Sequence, residues 1–234
     1  MIAKPARRFW HQTEVKSTEA GVAIMLDARP ARTPAGADLV VPNPAMATAI
    51  AAEWHAQGPT IDPETMPFTR MANTALDRLP KQFARVADAL AAYGETDLLC
   101  HRARTPQDLA AQQAAQWDPL LQWAAQALGA RLQPTTGIMA APQPPQALAT
   151  LREQVHALTP FQLAAFHDLV ALSGSLILGF AAVHQRHPAA ALWRLSRLDE
   201  DWQQQHWGID DEARATAASQ AKAFLRAEQF FRMA

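Results

Sequence analysis

The chain has 234 residues, 49% of them hydrophobic and only 18% charged, and its 21 Lys plus Arg nearly cancel 22 Asp plus Glu. A net charge of -1 excludes the global positive field that drives nonspecific binding to nucleic acid or anionic membranes. The single cysteine, Cys100, excludes an internal disulfide and a cysteine-based zinc site, while 51 alanines against 9 glycines favour a mostly helical protein.

The first 43 residues read differently from the rest. Lys4, Arg7 and Arg8 have no apolar run behind them, so no secretory signal is expected. Phe9, His11 and Thr13 alternate with Trp10, Gln12 and Glu14, and Val22, Ile24 and Leu26 alternate with Ala23 and Met25, the period-2 pattern of half-buried strands. Turn signals at residues 19–21, 27–30 and 33–36 separate these runs from Leu39-Val40-Val41. The expectation is a small antiparallel β domain over 1–43, built from two consecutive hairpins.

From residue 44 the pattern becomes helical to residue 234, an α+β chain in which the helical domain is the larger. Asn43 and Pro44 suit a helix start, Met46, Ile50 and Trp54 fall on one face, and Gly58 suits the position past the end. Three prolines make residues 59–67 an extended loop, and helices are expected over 69–79 and 82–93 on either side of Pro80. Thr105-Pro106, Asp118-Pro119, Thr159-Pro160 and His187-Pro188 open further helices, the third a long one through residue 183. The apolar run 169–183 is shorter than the ~20 residues of a bilayer span, so no membrane insertion is expected. Residues 134–145 hold four prolines and read as a connector that subdivides the helical domain; the last helix is expected over 211–231.

Few motifs carry chemistry. The glycines are scattered singly, so there is no phosphate-cradling loop, and neither GxSxG nor HExxH occurs; no cofactor or metal is expected. His184 and His187 lack a third ligand, and Cys100-His101 and His167-Asp168 are sequence neighbours that point apart on a helix. Carboxylates remain: Asp118 and Asp97 suit helix starts, whereas Glu95 with Asp97 or Glu200 is the pair that a small-molecule enzyme would use for proton transfer.

The segment 191–208 is the most informative. Read as one helix, it places Ala191, Leu195, Leu198 and Trp202 on a core stripe, Trp193, Glu200 and Trp207 on the opposite side, and Arg197 beside Asp201. Two tryptophans beside the acidic run Asp199, Glu200 and Asp201 are either sandwiched by other helices or form a ridge for a protein partner.

The blocks LDARPARTPAG (26–36), MPFTRMANTALDR (66–78), ETDLLCHRA (95–103), WDPLLQWA (117–124) and SRLDEDWQQQHWG (196–208) occur in that order. Together they resemble the assembly chaperones that hold the α subunit of the ATP synthase catalytic sector, of the mitochondrial and α-proteobacterial type. The resemblance implies a β-rich N-terminal domain, a larger helical domain, and a non-enzymatic chaperone that covers the α-subunit surface until the hexameric ring forms. It matches Glu200 to an acidic residue linked to function, with Asp199 and Asp201 beside it; Trp54 matches a block too and is assigned to packing. Trp193 and Trp207, from the residue pattern itself, are then the expected partner-facing anchors on either side of the acids. A chain that is monomeric when free and resides in a bacterial cytoplasm, or in the mitochondrial matrix once processed, follows. The alternatives are a helical scaffold for another client and the carboxylate-pair enzyme.

Overall fold

The computed structural model describes residues 7–137, 141–208 and 210–234. They form a small antiparallel sheet near the N-terminus followed by a larger helical part, the expected α+β class. Two compact units share the chain: one holds the residues up to Phe83 with Thr159–Ala165 and Gln229–Ala234, the other Ala84–Leu158 and Phe166–Glu228. The first unit therefore runs well past residue 43, because the first helices bury their apolar faces against the sheet.

In that unit β2 (Gly21–Leu26) is the central strand. β1 (Thr13–Thr18) pairs antiparallel with one side of it, and β3 (Arg29–Pro30) and β4 (Val40–Val41) pair antiparallel with the other. β1 starts at Thr13 rather than at Phe9, and Trp10 is buried while Phe9 is exposed. Arg8 explains the difference. Its guanidinium donates to the carbonyls of Trp10 and His55 at 3.0 and 3.1 Å and lies over the Trp10 ring at 5.4 Å, pinning this segment to the end of α1 (Pro44–His55).

Asn43 caps α1 by accepting the Met46 N–H at 3.1 Å, with Pro44 in the first turn as expected. Met46, Ala47, Ile50 and Ala51 meet Val22, Ile24, Leu26, Leu39 and Phe230 in one core, and Trp54 packs edge-on against Trp10 at 5.1 Å. The α1 carboxylate of Glu53 accepts the N–H groups of Phe68 and Thr69, both at 2.8 Å, and so caps α2 (Pro67–Asn73). A π turn, Thr74–Arg78, leads directly into α3 (Leu79–Ala91), so Pro80 interrupts nothing and the two expected helices are continuous. From that turn Asp77 accepts Thr33 Oγ1 at 2.6 Å and the Ala35 N–H at 3.1 Å.

The second unit is helical: α4 (Gln107–Trp123), α5 (Pro145–His156), α6 (Pro160–Ser173), α7 (Leu176–Val183), α8 (Ala189–Ser196), α9 (Leu198–Trp207) and α10 (Asp211–Arg232), of which α6 and α10 also contribute residues to the first unit. Two residue pairs, β5 (His101–Arg102) and β6 (Thr135–Thr136), add a short parallel ladder. Within the expected connector 134–145, residues 138–140 lie outside the described residues, and no unit boundary falls there.

The expected long helix over 160–183 is two helices. Gly174 takes a φ of +68°, and Ser175 starts α7 by accepting the Leu178 N–H at 2.9 Å. Asp97, fully buried, accepts Ser175 Oγ at 2.7 Å and the N–H groups of Ile177 and Leu99, each at 3.0 Å. Burial pushes this carboxyl above the usual range, and its donors pull it back. Residues 176–182 are all buried, and Gly179 lets α7 approach α6 so closely that Phe166 and Phe180 sit 4.8 Å apart.

A Cβ on Gly179 would lie 2.8 Å from Val170 Cγ2 and 3.2 Å from Phe166 Cε2. Gly179→Ala is expected to lower stability by about 1–3 kcal/mol, read as a drop in the urea midpoint. Gly58→Ala, where a Cβ meets nothing within 4 Å, is expected to leave the midpoint unchanged or slightly raised.

Candidate partner-binding surface

The segment 191–208 is broken into two helices at Arg197, whose backbone sits at φ -106° and ψ 11°. Ser196 helps to end α8 by donating its hydroxyl to the Trp193 carbonyl at 2.7 Å, a bond that competes with continuation of the helix. The single ridge expected of Trp193, Glu200 and Trp207 therefore does not form. Trp193 is 7% exposed and packs against Phe224 at 5.8 Å, whereas Trp207, at the far end of α9, is 75% exposed.

The three acids occupy the first turn of α9, where carboxylates favour the helix N-terminus, and each has a different environment. Asp199 accepts Gln113 Nε2 at 2.7 Å, and the Gln113 carbonyl oxygen accepts the Ala103 N–H at 2.7 Å. Glu200, half-buried, pairs with Arg197 at 2.8 Å; this i, i+3 pair replaces the expected one between Arg197 and Asp201. Asp201 is exposed, and among the described residues no hydrogen bond or ion pair reaches its carboxylate. Desolvation by the surrounding protein pushes that carboxyl above its usual range, against the pull of Arg197.

Aromatic contacts complete the surface. Trp202 is buried and donates its indole N–H to Asp108 at 3.1 Å, His206 stacks on it at 3.8 Å, and Trp207 stands perpendicular to it at 5.7 Å. Trp117 donates to the Leu195 carbonyl at 2.9 Å, which ties the end of α8 to α4. The surface thus combines one free carboxylate, one paired carboxylate and an exposed indole over a buried aromatic stack.

The chemical alternatives are less well assembled. Glu95 is exposed and Asp97 is enclosed with both oxygens taken by structural donors, so the two share no cavity. A depression of about 330 Å³ beside α4 is lined by Asp118, Leu121, Gln122, Arg131 and Pro134 among others, and holds none of Glu95, Asp97 and Glu200. Asp118, expected at a helix start, lies inside α4 and pairs with Arg102 at 2.7 Å. Burial, with Asp97 nearby, pushes the Cys100 thiol up to about 12. His184 rests on Trp123 at 5.7 Å, and among the described residues no cluster of three His, Cys, Asp or Glu is placed to hold a metal ion. Nor is any described helix long and apolar enough to cross a membrane.

Residues 7–125, more than half of the chain, match the family model described as ATP12 chaperone protein. The chain belongs to the ATP12 chaperone family. It is similar to the crystal structure of Atp12 from Paracoccus denitrificans, with 48% identity, coverage of 97% of each chain and a TM-score of 0.94. A solved protein of Agrobacterium tumefaciens shares 37% identity over 95% of this chain and 85% of its own, with a TM-score of 0.89. The mitochondrial protein atp12 of Schizosaccharomyces pombe is 28% identical over 221 residues, covering 88% of this chain and 75% of that protein.

The blocks that carried the resemblance to this ATP12 family are joined in space within their units. Residues 26–36 meet 66–78 where Asp77 holds Thr33 and Ala35. Residues 95–103 meet 117–124 where Arg102 pairs with Asp118 and lies over the Trp117 ring at 5.3 Å. The last block docks on α4 through Asp199 and Trp202, using Gln113 and Asp108, two residues that the sequence reading did not single out. Gln113 stands at helical spacing from Trp117 and Asp108 in the first turn of α4, and in sequence both resemble any solvated position.

The two tryptophans are expected to separate on substitution. Trp193→Ala should lower stability by about 3–5 kcal/mol in urea denaturation, as for a large core truncation. Trp207→Ala should stay within about 0.5 kcal/mol of the parent chain.

Proposed function

We propose that the chain is an ATP-independent, non-enzymatic chaperone of ATP synthase assembly, which binds the unassembled α subunit of the catalytic sector and covers its subunit interface until the hexameric ring forms. The observation that carries this reading is the acidic first turn of α9, the helix that ends on the exposed Trp207, in a chain of the ATP12 chaperone family. The order of blocks that resembles α-subunit chaperones supports the choice of client.

The chemistry suits a reversible hold. Asp201 is exposed, with no hydrogen bond or ion pair to its carboxylate among the described residues, so a client cation can reach it directly. Glu200 can exchange Arg197 for a client group at little net cost, because both partners of the existing pair remain partly solvated. Trp207 supplies apolar area at the other end of the same helix. Such a patch protects the client by mass action, and its mixed polar character keeps the hold reversible. Within this reading Asp199 and Trp193 hold the patch in place, and Glu200, Asp201 and Trp207 touch the client.

Glu200→Lys and Asp201→Lys are each expected to keep the helical circular-dichroism signal and to weaken capture of a co-expressed α subunit at least about tenfold. Asp199→Lys should instead lower thermal stability, since it places a cation against the buried Gln113 amide. An α subunit that stays insoluble beside the parent chain, or binds both outward-facing variants normally, would overturn the reading.

A further inference from the structure

β1 is the outer strand of its sheet, and among the described residues no strand pairs with its far side. Five of its six residues are exposed and the other, Thr13, is half-buried. In an antiparallel ladder, residues that bond inward alternate with residues that turn their N–H and C=O outward. The bond from the Asp27 N–H to the Gln12 carbonyl sets the phase. Gln12, Glu14, Lys16 and Thr18 bond toward β2, so Thr13, Val15 and Ser17 present main-chain donors and acceptors to the open edge.

An open edge takes another extended strand, and its side chains decide which one. Glu14 and Lys16 are both exposed, two positions apart on the same face, and neither has a partner among the described residues. If the strand is paired antiparallel with itself about Val15, Glu14 faces Lys16 of the second copy and Lys16 faces its Glu14. Val15, 42% exposed, then meets Val15 of the other copy. In that same register the bonded pairs are Thr13 with Ser17, Val15 with Val15, and Ser17 with Thr13, the three residues whose main chain faces outward. Charge order and hydrogen-bond phase thus select one register. A parallel in-register stack, the route to open-ended aggregation, would set Glu14 beside Glu14 and Lys16 beside Lys16.

The geometry points to a second copy of this chain as the occupant of the β1 edge, joined about a two-fold axis through Val15 so that two four-stranded sheets become one. A six-residue strand contact is smaller than a standard stable interface, so the dimer forms with rising concentration and the dilute chain stays monomeric. None of the residues assigned above to client contact takes part, and the inference stands whether or not the α subunit is the client.

Sedimentation of the full chain up to millimolar concentration tests it. The parent mass should rise toward twice 25.6 kDa, while Glu14→Lys and Lys16→Glu, both at exposed positions, should each remain monomeric with unchanged circular dichroism. Mixing the two variants restores every opposite-charge contact, so an equimolar mixture should dimerise again, with amide exchange slowed at Val15. A parent chain that stays monomeric throughout, a dimer indifferent to both substitutions, or a mixture that fails to associate would overturn the proposal. So would slowed exchange at Val15 that appears only when a client is added, which would assign the edge to a client strand.

Discussion

The buried amide of Gln113 is the contact on which the acidic surface of α9 depends. At 1% exposure it must satisfy both ends within the protein, and it does so by accepting from the Ala103 N–H and donating to Asp199. With Asp199 held against α4, the next two residues of the helix turn away from α4, and Glu200 and Asp201 come to the surface. Trp202 then returns to α4 and donates to Asp108. One turn of helix is thereby anchored at two points, and the carboxylates between them are presented in a defined direction without any need for a loop to fold on binding.

The break at Arg197 is the second condition. A straight helix through 191–208 would keep Trp193 and Trp207 on one side and force both either into the core or into solvent. The break lets α8 bury Trp193 against Phe224 while α9 carries Trp207 outward. It also puts the positive end of a helix under the three acids, which lowers the cost of crowding them. Under the proposed reading this division of labour separates stability from binding. The residue that packs and the residue that contacts are different tryptophans, so the surface is free to remain partly polar and its hold reversible.

The family blocks make physical sense as pairs of polar locks. Asp77 lies in a π turn and reaches the turn at 33–36, and Arg102 reaches both Asp118 and the face of Trp117. Each lock ties a loop to a helix at a charged hydrogen bond, where a conservative replacement seldom keeps the geometry. Helix faces built from alanine and leucine tolerate more exchange. A sequence of this composition therefore concentrates its recognisable features at turns, caps and buried pairs.

What the sequence determined by itself was whatever depends on neighbours a few residues away. The turn at 19–21 and the period-2 run of β2 gave the β1–β2 hairpin, the Leu39-Val40-Val41 run gave β4, and Asn43-Pro44 gave the start of α1, whereas Arg29–Pro30, read as part of a turn, forms β3. Only the tertiary structure decided where long helices break, how far the first unit extends, and which of three adjacent acids is free. Gly174 ends α6 because Asp97, 77 positions earlier, caps the start of α7, and Asp199 is held by a glutamine 86 residues away. The break at Arg197 belongs to the same class, since the end of α8 is tied to Trp117. Periodicity records which face of a helix is apolar, but a buried polar group must find its partner wherever the chain places one, and that separation in sequence leaves no local trace.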